Sequence, residues 1–208
     1  MQPYLYLGKA DLSKPRLRCA PHLTRGSIAI MIETDLHTTK FHALLQEQIY
    51  HEFTAAQQYV AVAVYFDGED LPQLAKFFYA QAVEERNHAM MLVQYLLDRD
   101  IRVEIPGVDA VRNNFDGPRD ALALTLEQER SVTEQISRLT SAARDEGDHL
   151  GEQFMQWFLR EQVEEVALMT RLLRVADRAG HNLFELENFI AREITVSQEA
   201  GAPRIAGA

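Results

Sequence analysis

The chain has 208 residues, 47% of them apolar and 25% charged, enough for one full-sized domain with a sizeable core. Its formal net charge of −10 argues against a nucleic-acid-binding surface and is compatible with attracting cations or simply with keeping the protein soluble. The single cysteine, Cys19, excludes an internal disulfide and any cysteine-rich zinc or iron–sulfur framework, so a reducing, cytoplasmic setting is expected.

Residues 1–37 form a basic, proline-containing arm without clear periodicity. Its first 30 residues carry +4 and leave −14 to the rest. The arm is expected to be disordered, with Met31 as an alternative start, and its acid-poor composition also fits a transit peptide. The apolar run IAIMI at 28–32 falls far short of the roughly 18 residues of a membrane span, so no membrane association is expected.

From residue 38 the periodicity becomes helical. The first predicted helix runs from about Thr39 to Phe66 and stops at DGED, residues 67–70. Asp70 is placed to cap a second helix, which has Pro72 in its first turn and ends near Asp98. The link 100–117 is long and is broken by Pro106-Gly107. A third helix, with Asp116 as cap candidate, covers about Pro118 to Asp145. Gly147-Asp148 separates it from a fourth, which ends near Ala179 before Gly180. A short fifth helix, about Asn182 to Arg192, closes a domain over 38–193, and the tail 194–208 is expected to be disordered.

Four helices of about 27 to 32 residues span roughly 40 Å each. Short first–second and third–fourth links make antiparallel hairpins, and a link of about 18 residues between the hairpins can run the length of the molecule. The expected fold is all-α: a four-helix bundle with one long crossover and a short C-terminal helix.

The core-facing stripes change character halfway along each helix. The second reads Leu74, Phe78, Gln81, Glu85, His88, Leu92, Tyr95. The first carries Leu45, Glu52, Tyr59 and Phe66. The third carries Leu122, Leu126, Glu129, Thr133 and Ile136, and the fourth Phe158, Gln162, Glu165, Met169 and Leu172. Each stripe is apolar at its ends and holds a carboxylate near its middle. One such glutamate reads as a core hydrogen-bonding residue. Four converging ones, with no lysine or arginine at their level, cost several kcal/mol each unless something neutralises them. Shared protons relieve one pair; bound cations relieve all. Glu85 and His88, three residues apart, turn the same way. Carboxylate oxygens with one imidazole suit iron or manganese better than structural zinc. Two metals are expected, with Glu85 placed to bridge them. Tyr59 sits beside them as a hydrogen-bond donor, an electron-transfer group or plain core.

Taken together, Glu52 with Tyr59, Glu85-Arg-Asn-His88, Glu129 and Glu161-Gln162-Val-Glu164-Glu165 resemble the ferritin family, specifically non-haem bacterial ferritins. The stretches EFTAAQQYVA, QAVEERNHA and FLREQVEE look like ferritin too, and the resemblance covers about 38–193. It implies a shell of 24 subunits that oxidises Fe(II) with dioxygen or peroxide at a di-iron centre and stores ferric mineral. By the same likeness Glu52, Glu85, His88 and Glu129 bind the two irons, Glu85 bridges them, and Gln162 contacts the site or the oxidant. Glu84, Glu161, Glu164 and Glu165 look like the third-iron site of bacterial members, or else an acidic lining that guides ions. Haem-binding relatives carry a methionine directly after the bridging glutamate and a second Glu-x-x-His. Here those places hold Arg86 and Glu161-Gln162-Val163-Glu164, so no haem is expected. The fifth helix resembles the one that ferritins pack about a four-fold axis. A rubrerythrin-like di-iron oxidase or peroxidase is the alternative. The small, apolar tail GAPRIAGA resembles peptides that dock ferritin relatives inside a nanocompartment; the competing reading is a plain disordered tail.

Overall fold

The structure, a computed structural model, describes residues 39–194 and 201–207. The expectations for the basic arm, including Met31, lie outside the described residues. Among the described residues there are five helices and no strand: α1 (Lys40–Gly68), α2 (Pro72–Asp98), α3 (Pro118–Asp145), α4 (His149–Ala179) and α5 (Leu183–Glu193). Each of the four long helices lies within about two residues of its expected bounds. None is long and apolar enough to cross a membrane.

Helices α1 and α2 pack as one antiparallel hairpin, with Phe66 stacked on Phe78 at one end and Phe41 edge-on to Tyr95 at the other. Helices α3 and α4 form the second. Thr125 meets Met169 near one end and Arg144 pairs with Glu152 near the other. The crossover between the hairpins runs along α1. Its backbone is tied in succession to Gln46 through Glu104 and to Gln58 through Arg112, and Phe115 lies on the Tyr65 ring. Starting beside the first turns of α1, it therefore delivers the chain to the end where α2 begins. That is the long-crossover bundle expected from the sequence.

Helix starts are set partly by neighbours. Asp148 caps α4, accepting from Gly151 N at 2.9 Å. Asp70 does not cap α2. It adopts a left-handed backbone with φ 58°, and the N-cap position falls to Leu71, which offers no side-chain acceptor. The carboxylate of Glu187 on α5 takes over, accepting from Gln73 N at 2.8 Å and Leu74 N at 2.9 Å. A negative group there also complements the helix dipole. Asp116 likewise does not cap α3, whose N-cap is Gly117; the Asp116 N–H donates to Asp120 instead.

Residues 201–207, expected to be disordered, are irregular but seated on the bundle. Ala206 N donates to Met90 O at 3.2 Å, Arg204 pairs with Asp98, and Ile205 and Ala206 pack against the core. Partial burial of two apolar side chains, with one backbone hydrogen bond, works against the entropy that composition alone assigns to such a segment.

The core is split in two. One apolar cluster holds Val62, Phe66, Leu74, Phe78, Leu122, Leu172 and, from α5, Leu186 and Ile190. The other holds Phe41, Leu45, Leu92, Leu96, Ile136, Met155 and Phe158. Between them lies a buried polar layer drawn from all four long helices.

Candidate metal centre

That layer contains Gln48 and Glu52 from α1, Gln81, Glu85 and His88 from α2, Glu129 from α3, and Glu161, Gln162 and Glu165 from α4, each no more than 5% exposed. Ligand atoms of Glu52, Glu85 and His88 lie within 4.8 Å of one another. The His88 Nδ1 is 3.3 Å from Glu85 Oε2. Its ring is held edge-on to Trp157 and Phe158, at centroid distances of 5.7 and 5.8 Å. Gln48 fixes Glu52 from one turn away, donating Nε2 to Oε1 at 2.9 Å.

Glu129 closes the other side. Its Oε1 accepts from the Tyr59 hydroxyl, and its Oε2 lies 3.5 Å from Gln162 Nε2. Of the expected ligands, Glu52, Glu85 and His88 converge within 4.8 Å of one another, whereas Glu129 lies outside that group of three and joins the layer through Tyr59 and Gln162.

The electrostatics are unfavourable as the groups stand. Burial, then the neighbouring Glu85 charge, pushes the Glu52 carboxyl up to about 8. Burial pushes Glu129 up to about 7, against the hydrogen bond from Tyr59. Burial also raises Glu85 and Glu165 well above the usual carboxylate range, and both feel Glu129. Glu52 Oε2, Glu85 Oε1 and Glu165 Oε2 are buried without a hydrogen-bond partner. The arginine ion pairs among the described residues go to Asp98, Glu104, Asp120, Asp148, Glu152 and Asp177, none of them in this layer. Carboxylates held this way keep protons when the site is empty and give them up to a cation.

A second group adjoins the first. Ligand atoms of Glu84, His88 and Glu161 also lie within 4.8 Å of one another. Gln81 donates Nε2 to Glu84 Oε2 at 2.5 Å and hydrogen-bonds Glu165 as well. Of the four acids read as a third-iron site, Glu84 and Glu161 therefore meet, with His88 as their shared neighbour. Glu165 faces them electrostatically from the buried layer, and Glu164 is exposed. Gln48, Gln81, Thr133 and Trp157 join the site without having been expected there. Gln81, buried, and Thr133, half-buried, stand on the core stripes, so their signal was a neutral polar residue on a core-facing stripe.

Residues 42–179 match the Ferritin-like domain family. The chain is 76% identical over 178 residues to ferritin BfrB of Mycobacterium tuberculosis, covering 85% of this chain and 98% of that protein. It is 36% identical over 136 residues to a bacterial non-heme ferritin of Staphylococcus aureus, covering 65% of this chain and 82% of that protein. An open-pore ferritin from Archaeoglobus fulgidus superposes with a TM-score of 0.71 at 28% identity, covering 74% of this chain and 98% of that one. The chain belongs to the ferritin-like domain family.

Proposed function

We propose that the protein stores and detoxifies iron: it oxidises Fe(II) at the Glu52–Glu85–His88–Glu129 centre, with dioxygen or peroxide as acceptor, and holds the ferric mineral inside a shell of 24 copies in the cytoplasm. The observation that carries this reading is the buried layer of carboxylates, with one imidazole, which no arginine ion pair among the described residues reaches and which a bound cation would neutralise. Iron is the substrate and cargo. The likeness to the mycobacterial ferritins supports the shell and the storage role.

Each residue has a task. Glu52, Glu85, His88 and Glu129 bind two Fe(II) ions, with Glu85 between them, and two positive ions displace the protons that burial holds on the acids. Tyr59 keeps Glu129 in place. Gln162, held against Glu129 from α4, contacts the site or the oxidant. Glu84, Glu161, Glu164 and Glu165 serve a third iron or its passage, with Glu84, His88 and Glu161 at its heart. The protein works without haem. Arg86 follows Glu85 where haem-binding relatives carry methionine. The C-terminal peptide, read as a docking element for a nanocompartment, already has a seat on α2, so docking elsewhere requires its release.

Aerobic Fe(II) addition to the iron-free assembly tests the reading, with wild type set against Glu85→Ala. Fast oxidation and retention of hundreds of irons by wild type, with a slow mutant, is the expected result. Fast oxidation that leaves about two irons per subunit points to the rubrerythrin-like alternative. Equal rates and no retained iron overturn both.

A further inference from the structure

Gln162 is held from two sides. Its Nε2 lies 3.5 Å from Glu129 Oε2, and its Oε1 lies 2.9 Å from the hydroxyl of Thr133 on α3. The same hydroxyl lies 2.8 Å from the backbone oxygen of Glu129, four residues earlier on its own helix. Both of its partners in this arrangement are acceptors. A threonine hydroxyl has one hydrogen, so it donates to one of them at a time. Gln162 is 3% exposed, and its carboxamide cannot turn to water for the bond it lacks.

We propose that Thr133 is a positioning residue whose single hydroxyl hydrogen selects which end of the Gln162 carboxamide faces the metal centre. The inference rests on the ferroxidase reading and deepens it. In the empty site the hydroxyl donates to Gln162 Oε1, and Gln162 Nε2 donates to the Glu129 carboxylate. With a cation on Glu129, an N–H aimed at that carboxylate is repelled and a carbonyl oxygen is attracted. The amide then reverses within the same volume. Thr133 turns its hydrogen to the Glu129 backbone oxygen and accepts from Gln162 Nε2, and Gln162 Oε1 faces the cation.

Each arrangement satisfies two hydrogen bonds, so the exchange costs little and the charge of the centre decides it. A valine at 133 keeps the shape and lacks the rotor. A serine keeps the rotor and lacks the methyl group.

The test uses the assembled full chain as wild type, Thr133→Val and Thr133→Ser, with Thr133→Ala in place of valine should that variant not assemble. Anaerobic Co(II) titration reads the site without oxidation, through the visible absorption of the bound ion. Thr133→Val is expected to change those bands and weaken Co(II) binding about five-fold, the equivalent of one neutral hydrogen bond. Thr133→Ser is expected to lie within about two-fold of wild type, the residue of one hydroxyl conserved. Fe(II) oxidation on the same samples is expected to slow in the valine variant and recover in the serine variant. Unchanged Co(II) bands and affinity in Thr133→Val overturn the proposal. So does a serine variant as impaired as the valine one, since the methyl group and not the hydroxyl is then what matters. A hydroxyl-dependent Co(II) site in a wild type that oxidises no Fe(II) supports the rotor and overturns the ferroxidase reading.

Discussion

The phenol of Tyr59 on α1 donates to the carboxylate of Glu129 on α3, 70 residues further along the chain, and both groups are buried. That bond opposes the effect of burial on Glu129, which otherwise climbs further above its value of about 7. In Tyr59→Phe the proton competes harder with the metal. The variant is expected to assemble, to lose about 1–3 kcal/mol of stability from the orphaned acceptor, and to show the acid limb of its iron-oxidation profile moved to higher pH. Stopped-flow rates between pH 5.5 and 8 check this. A profile superposable on wild type would show that Tyr59 is only core.

The empty centre makes stability fall as pH rises. The folded chain keeps a proton on Glu52 up to about pH 8, whereas the unfolded chain releases it near the ordinary value of 4.5. Between those limits the folded state binds more protons, so its stability declines with increasing pH. At about 1.4 kcal/mol per pH unit, Glu52 alone contributes a few kcal/mol across the window. The metal-free assembly is expected to melt lower at pH 8 than at pH 6. Glu52→Gln should flatten that slope, and Co(II) should reverse it while releasing protons. Calorimetry of both forms decides.

Glu161 and His88 separate the two metal groups. Glu161 belongs only to the group with Glu84, whereas His88 belongs to both. Glu161→Gln is expected to lower Co(II) capacity by one ion per subunit while leaving the first phase of iron oxidation within about two-fold, since one ligand of three weakens a site it does not share. His88→Ala should lower capacity at both. Equal stoichiometry in wild type and Glu161→Gln would leave the second group a mere lining.

Gly151, in the first turn of α4, has no room for a side chain. A Cβ there would stand 2.4 Å from Cε1 of Phe41, a fully buried ring at the start of α1. Helix propensity favours alanine over glycine by about 1 kcal/mol. Overpacking of a fixed aromatic ring costs about 1–3 kcal/mol and prevails. Gly151→Ala is expected to lower the unfolding midpoint without changing Co(II) binding at the centre.

Which residues share the core is legible in the order of the amino acids alone. A carboxylate that recurs in step with leucine and phenylalanine must lie on the buried face, because azimuth around a helix is a local property. This is why Glu52, Glu85, Glu129, Glu165 and the histidine three residues after Glu85 were legible, as were the bundle and its crossover. Contacts across helices are not local. Their register depends on how the crossover and α5 set one hairpin against the other. It took the packed fold to show that Glu187, not Asp70, caps α2, and that Glu84 and Glu161 meet at His88 while Glu164 stays exposed. The fold likewise decided that Thr133 holds Gln162, and that Ile205 and Ala206 find an apolar seat. In each case the side chain had several partners within reach of its own helix or tail. Packing at a fixed axial offset selected one.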